Sequence, residues 1–288
     1  VVARRTGEKD PDGAARAALQ GILLATALGL FLALPGLIWP ERLLGLMGAA
    51  PDVIAEGSEY TRLMIGGNVV IMLLFGINAI FRGVGDAAMA MRSLWLANAI
   101  NIVLCPLLIF GIGPFEGLGV TGAALATLIG RGTGVAYQLN HLFRRSGRVR
   151  LSGIPFALDA PVMINMIKVS AGGVAQFVIA SASWVFLVRI VSTFGSAAVA
   201  GYTIAIRIII FSLLPSWGMA NAASTLVGQN LGAGQPERAA RSAWLCGFYN
   251  MLFMVSVAVL FWLTAPWLIH FFTGDPVVAA HGVLALRI

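Results

Sequence analysis

Charge is scarce in this sequence. Asp, Glu, Lys and Arg make up 11% of the 288 residues and apolar residues 59%, and the mean hydropathy of +0.89 lies far outside the balance of a water-soluble domain. Acids are missing from the interiors of the apolar runs. All twelve (Glu8, Asp10, Asp12, Glu41, Asp52, Glu56, Glu59, Asp86, Glu116, Asp159, Glu237 and Asp275) stand outside those runs or at their margins, as expected where an unpaired carboxylate in hydrocarbon is costly. The two cysteines, Cys105 and Cys246, lie inside apolar runs without metal-type spacing, which supports neither a disulfide framework nor a zinc site. The three histidines, His141, His270 and His281, fall near run ends, so the buried His-acid cluster that a membrane-embedded enzyme needs is not present. The net charge of +7 comes without a basic groove of interleaved aromatics, and no nucleic-acid partner is expected. An initiating Met and a signal-peptide pattern are lacking too, and the apolar segment from Pro276 to Ile288 stops short of a full span. The chain reads as a piece of a longer protein.

What the sequence does have is long apolar runs. A hydrocarbon core of about 30 Å takes roughly 20 apolar residues as helix, and seven full runs of that kind are present, with part of an eighth: residues 14–38, 57–81, 89–110, 120–143, 162–191, 198–228, 239–271 and 277 onward. Each is expected to be a helix, because an open sheet could not satisfy its backbone in lipid. The fold class is therefore an all-α polytopic membrane protein. Pro35, Pro106, Pro215 and Pro266 stand inside runs and mark kinks; Pro215 with Gly218 would make a hinge.

The basic residues alternate with the runs. Arg4, Arg5, Lys9, Arg16, Arg82, Arg92, Arg144, Arg145, Arg148, Arg150, Lys168, Arg238 and Arg241 fall on every second loop, while the others hold Arg42, with Arg62 just inside a run. That asymmetry places the basic loops in the cytoplasm of a cell membrane. It also checks the span count. Among the basic loops, residues 144–161 are the longest and carry Gly147, Gly153, Pro155 and Pro161. We read them as a linker between a first helical bundle, residues 1–143, and a second, residues 162–288.

An internal repeat supports the division. Shifting the segment from Val2 to Ala18 by 225 positions sets Val2 on Val227, Gly7 on Gly232, Pro11 on Pro236, Ala14 and Ala15 on Ala239 and Ala240, Arg16 on Arg241 and Ala18 on Ala243. The same shift sets Pro51 on Pro276, Val53 on Val278, Ala55 on Ala280, Gly57 on Gly282 and Arg62 on Arg287. Both copies lie on the cytoplasmic side before a helix running outward, so the halves share one orientation. Parallel repeats of that kind face each other across a central cavity in several transporter folds.

Four segments carry a resemblance: Val227 to Arg241; Phe81-Arg82-Gly83-Val84-Gly85-Asp86; Asn98 to Gly111; and Gly119-Val120-Thr121-Gly122-Ala123-Ala124-Leu125-Ala126-Thr127. In this order and at span boundaries they resemble the multidrug and toxic compound extrusion (MATE) transporters, over essentially the whole chain. The resemblance implies a monomeric twelve-helix antiporter of two six-helix bundles in the lipid bilayer. It would export small organic cations against protons or sodium, with no cofactor beyond the coupling ion. By that mapping the chain starts at the loop after the second helix and stops within the tenth, and a coupling carboxylate is expected in the preceding part.

The candidate site residues are Asn101, Cys105, Thr127, Gln176 and Arg207. Asn101 and position 105 share one helical face, where the family often has an Asn and an Asp joined by a Thr on the next helix, here Thr127. This sequence has Cys105 in place of that Asp. A neutral thiol is a poor ligand for sodium, which prefers oxygen and above all carboxylate, so the substitution favours a proton, or coupling through an acid elsewhere. The plainer alternative is that Asn101 and Thr127 bond across packed helices. Gln176 resembles a cavity-facing position of the second bundle, with helix packing as its alternative. Arg207 lies about 14 Å into its span at 1.5 Å per residue, where a guanidinium must be paired, wet or snorkelling; Arg131 and Arg189 raise the same question. Gly83, Gly85 and Asp86 read as a tight turn, since no strand precedes them and no Lys-Ser/Thr follows. Trp184 and Trp217 are deep enough to line an aromatic cavity for cations. A flippase for lipid-linked saccharides shares the architecture and remains the alternative; it would need several arginines facing phosphates.

Overall fold

The computed structural model describes residues 1–112, 115–144 and 149–288. Gly147, one of the linker glycines, lies outside the described residues. Among the described residues the chain runs as eleven helices and one hairpin of two-residue strands: α1 Val2–Gly7, α2 Pro11–Ile38, α3 Pro40–Leu46, α4 Pro51–Gly66, α5 Asn68–Gly83, α6 Ala87–Phe110, β1 Gly111–Ile112, β2 Phe115–Glu116, α7 Gly119–Phe143, α8 Ala160–Ser192, α9 Ser196–Gly232, α10 Pro236–Phe272 and α11 Pro276–Arg287. The strands pair antiparallel, Gly111 with Glu116 and Ile112 with Phe115.

Helix boundaries follow the local chemistry. Proline opens α2, α3, α4, α10 and α11 at the first turn, where its missing N–H costs nothing. Acids excluded from the apolar runs serve as caps. Asp10 accepts from Gly13 N at 2.8 Å, Asp86 from Met89 N at 3.1 Å, Asp159 from Val162 N at 3.2 Å and Asp275 from Val277 N at 2.8 Å. Gly85 takes φ 82° just before Asp86, so Gly83 to Asp86 form the expected turn rather than a phosphate loop. The 225-residue repeat is written into these boundaries. Pro11 opens α2 as Pro236 opens α10, Pro51 opens α4 as Pro276 opens α11, and Gly7 ends α1 as Gly232 ends α9.

Six helical stretches among the described residues are long and apolar enough to cross a membrane: α2, Pro51–Gly83, α6, α8, α9 and α10. The all-α polytopic architecture read from the sequence is thus observed. Helix α7 is 25 residues long and stands where a seventh span was expected, but it is more polar than those six. Two of its polar side chains bond inward: Thr127 bonds Asn101, and Gln138 bonds Asn78 and Ser93.

Two expectations need correction. Residues 2–7 are helix, not loop, because this segment repeats the last turns of α9. The span expected as one helix over 57–81 is broken at Gly67, between α4 and α5. A Cβ on Gly67 would overlap Leu128 Cδ2 on α7 and lie 2.7 Å from Leu63 O, so glycine at the break relieves crowding from both sides.

The chain clusters into two compact units, Val1–Met166 with Gly228–Gly234, and Ile167–Val227 with Gln235–Ile288. The first has a core of Ala15, Ala18, Leu19, Leu74, Ile77, Phe81, Met89, Val135 and Leu142, joined by Val149 and Leu151 from the linker. Buried Gln20 on α2 holds that linker with both ends of its amide, Nε2 donating to Ala157 O at 2.7 Å and Oε1 accepting from Asp159 N at 3.1 Å. In the second unit Ala205, Ala265, Ile269, Ala279 and Leu286 join α9, α10 and α11.

Candidate transport site

Helices α6 and α7 run antiparallel against each other, and glycine sets their spacing. A Cβ on Gly122 would overlap the Leu108 carbonyl, and one on Gly130 would stand 2.6 Å from Ala97 O and 3.2 Å from Asn101 Cβ. Backbones this close let short polar side chains reach across. Asn101 Nδ2 donates to Thr127 Oγ1 at 3.2 Å, and Thr127 Oγ1 donates to Ala123 O at 2.9 Å. Cys105 is a free, half-buried thiol one turn from Asn101 on α6.

The arginines are placed by helix position. Arg131 stands twelve residues from the start of α7, about 18 Å along its axis, and one turn beyond Thr127. Arg207 stands eleven residues from the start of α9, about 16 Å along. Arg131 is half-buried and Arg207 exposed, and neither guanidinium has a hydrogen-bond or ion-pair partner among the described residues. Gln176 is exposed on α8, a helix that buries none of its residues, and Trp184 and Trp217 are exposed as well.

Of the sequence candidates, then, the structure brings Asn101 and Thr127 into contact with Cys105 beside them. Gln176 and Arg207 belong to the second unit. Sequence reasoning missed a buried polar trio in the first unit: Asn78 on α5, Ser93 on α6 and Gln138 on α7, all fully buried. Gln138 Nε2 donates to Asn78 Oδ1 at 2.8 Å and to Ser93 Oγ at 2.9 Å. Asn78 and Gln138 are polar interruptions of apolar runs, which was the available signal.

The sequence model of the MatE family matches residues 1–107 and 174–288. The chain belongs to the MatE family. Among related MATE proteins, the probable multidrug resistance protein NorM of Thermotoga maritima is 28% identical over 241 residues, covering 82% of this chain and 51% of its own length. The FAD transporter of Shewanella oneidensis is 28% identical over 269 residues, covering 89% and 57%. A solved MOP superfamily transporter from Pyrococcus furiosus, described as having a binding pocket of reverse polarity, superposes with a TM-score of 0.90 at 28% identity over 99% of this chain and 64% of that one. The chain thus spans about half to five-eighths of the length of these MATE relatives, and it is a multi-pass membrane protein.

Proposed function

We propose that the protein is a secondary active exporter that moves small organic, cationic molecules out of the cell by alternating access of two helical bundles. The observation that carries this reading is the MatE match on both sides of the linker, joined to the 225-residue register shared by the helix starts. One fold used twice in one orientation supports two bundles working around a common cavity.

Within that reading, Asn101, Thr127 and Cys105 are assigned to the ion or substrate path of the first half, and Gln176 and Arg207 to that of the second. The antiported ion is a proton or sodium. Cys105 favours the proton, since the site offers sodium only neutral ligands.

A second reading, an anionic cargo such as a lipid-linked saccharide, is favoured by Arg131 and Arg207. Both guanidinium groups lie within apolar helices with no carboxylate partner among the described residues. An arginine so placed is stabilised by an anion.

Everted vesicles carrying the full-length protein test both. Export of a cationic dye driven by a proton gradient, lowered by substitution of Asn101 or Gln176, supports the first reading. No dye movement, with anionic cargo moved instead, supports the second. Unchanged dye export by the Asn101→Ala, Gln176→Ala double variant removes both residues from the path.

A further inference from the structure

Helix α1 and the last turns of α9 are the two copies of one motif, 225 residues apart, and they cross each other. Ala3 is the repeat equivalent of Gly228, Arg4 of Gln229 and Gly7 of Gly232. The contacts obey the same pairing. A Cβ on Gly228 would stand 2.9 Å from Ala3 Cβ, so these two equivalents face each other directly. A Cβ on Gly7 would overlap the Gln229 carbonyl, and a Cβ on Gly232 would overlap the Arg4 carbonyl. Where residue i meets j and the equivalent of j meets the equivalent of i, the contact is two-fold and self-complementary. The axis passes between Ala3 and Gly228.

A third element closes over the crossing. Gln229 Nε2 donates to Gly83 O at the end of α5 at 2.9 Å, and a Cβ on Gly83 would reach Ala3 N at 3.4 Å. Both crossing segments lie at membrane-span ends flanked by Arg4, Arg5, Lys9 and Arg16 in one copy and by Arg238 and Arg241 in the other, the side that the charge rule places in the cytoplasm. Helix ends locked backbone against glycine have no intermediate arrangement: either the glycine face is in contact or it is not.

We propose that this crossing is a cytoplasmic closure, a two-fold glycine clasp that is shut in this structure and parts when the transport path opens to the cytoplasm. The proposal rests on the alternating-access reading and adds to it a place and a chemistry. The small side chains at 3, 7, 228 and 232 let the backbones meet, and the Gln229 amide fastens them to α5.

The test uses the full-length protein in everted vesicles with its native cysteines kept. Ala3→Cys and Gly228→Cys together put two thiols near disulfide distance. Oxidation, with the 3–228 linkage confirmed by peptide mass, is expected to slow export of a cationic dye at least tenfold relative to the same double variant reduced, with full recovery on reduction; each single variant is compared with itself, and the oxidant is expected to leave its own reduced rate, whatever that is, unaltered. Linked protein that exports as fast as reduced protein overturns the clasp. A second arm needs no transport. Ala3→Cys alone is expected to resist a membrane-impermeant maleimide added to the exposed cytoplasmic face, and adding Gly7→Ala is expected to raise its labelling at least fivefold. Equal labelling with and without Gly7→Ala also overturns the proposal. If wild-type vesicles export no dye while the labelling difference is seen, the exporter reading fails and the clasp stands.

Discussion

Gln138 and Asn78 are joined by a 2.8 Å hydrogen bond between helices α7 and α5, with neither side chain reaching solvent or lipid. Ser93 on α6 completes the trio, donating to Asn78 Oδ1 at 3.1 Å and lying 2.8 Å from Ala90 O. Asn78 Nδ2 and Gln138 Oε1 are left without a protein partner. The trio pins three helices of the first unit to one register.

Asn78→Ala therefore removes the acceptor that Gln138 and Ser93 share, and stranding their donors is expected to cost about 1–3 kcal/mol. Gln138→Leu should cost a similar amount. Because the two residues form one network, the Asn78→Ala, Gln138→Leu double variant is expected to lose clearly less than the sum. Thermal unfolding of the four proteins in one detergent measures the cycle. Strict additivity would show that the bond contributes nothing.

The linker clamp gives a second prediction. Gln20→Leu deprives Asp159 N and Ala157 O of their partner at once, and about 1–3 kcal/mol of local stability should go with them. Since Ala157 and Asp159 lie in a segment without helix, the change should appear first as local opening. Limited proteolysis is expected to cut between residues 150 and 160 faster in the variant, while cutting elsewhere stays as in the parent. An unchanged cleavage rate there counts against the clamp.

Two glycines two residues apart on α7 make a matched pair for testing the α6–α7 contact. A Cβ on Gly130 meets Ala97 O at 2.6 Å, whereas one on Gly132 meets nothing within 4 Å. Gly130→Ala must push the helices apart and lengthen the Asn101–Thr127 bond, at about 1–3 kcal/mol. Gly132→Ala should be neutral or stabilising by about 0.5–1 kcal/mol, the helix-propensity gain over glycine. Melting temperatures moving in the same direction for both would show that glycine there serves flexibility, not approach.

The membrane class, the helix positions and the Asn101–Thr127 pairing were legible in the sequence because each rests on local information: run length, charge alternation and a motif. Gln138 meets Asn78 across 60 residues and Gln20 meets Ala157 across 137, and periodicity carries no signal over such separations. The break at Gly67 was hidden for a related reason. Adjacent glycines at 66 and 67 are tolerated within an apolar run, and only contact with Leu128 on α7 makes one of them a break. The repeat was visible from the start as an alignment of letters. That its two copies touch through their own equivalents was not, since a sequence shift states similarity and says nothing of contact.

In the proposed first-half site Cys105 leaves only neutral groups beside Asn101 and Thr127, and a single substitution tests that assignment. Cys105→Asp places a carboxylate one turn from Asn101, in the i, i+4 relation that the α-helix holds at about 6 Å between side-chain bases. Unliganded, that charge in an apolar span is costly, so the variant should melt lower than the parent in sodium-free buffer. With sodium present, the carboxylate and the Asn101 and Thr127 oxygens supply the hard ligand set that a thiol cannot. A bound ion stabilises the folded state by mass action, about 2.7 kcal/mol at a hundredfold excess over its dissociation constant. The expected result is a sodium-dependent rise in melting temperature for Cys105→Asp that potassium does not reproduce and the parent does not show. A variant destabilised equally in sodium and potassium would mean that Asn101 and Thr127 only hold two helices together, and the ion path would have to be sought elsewhere.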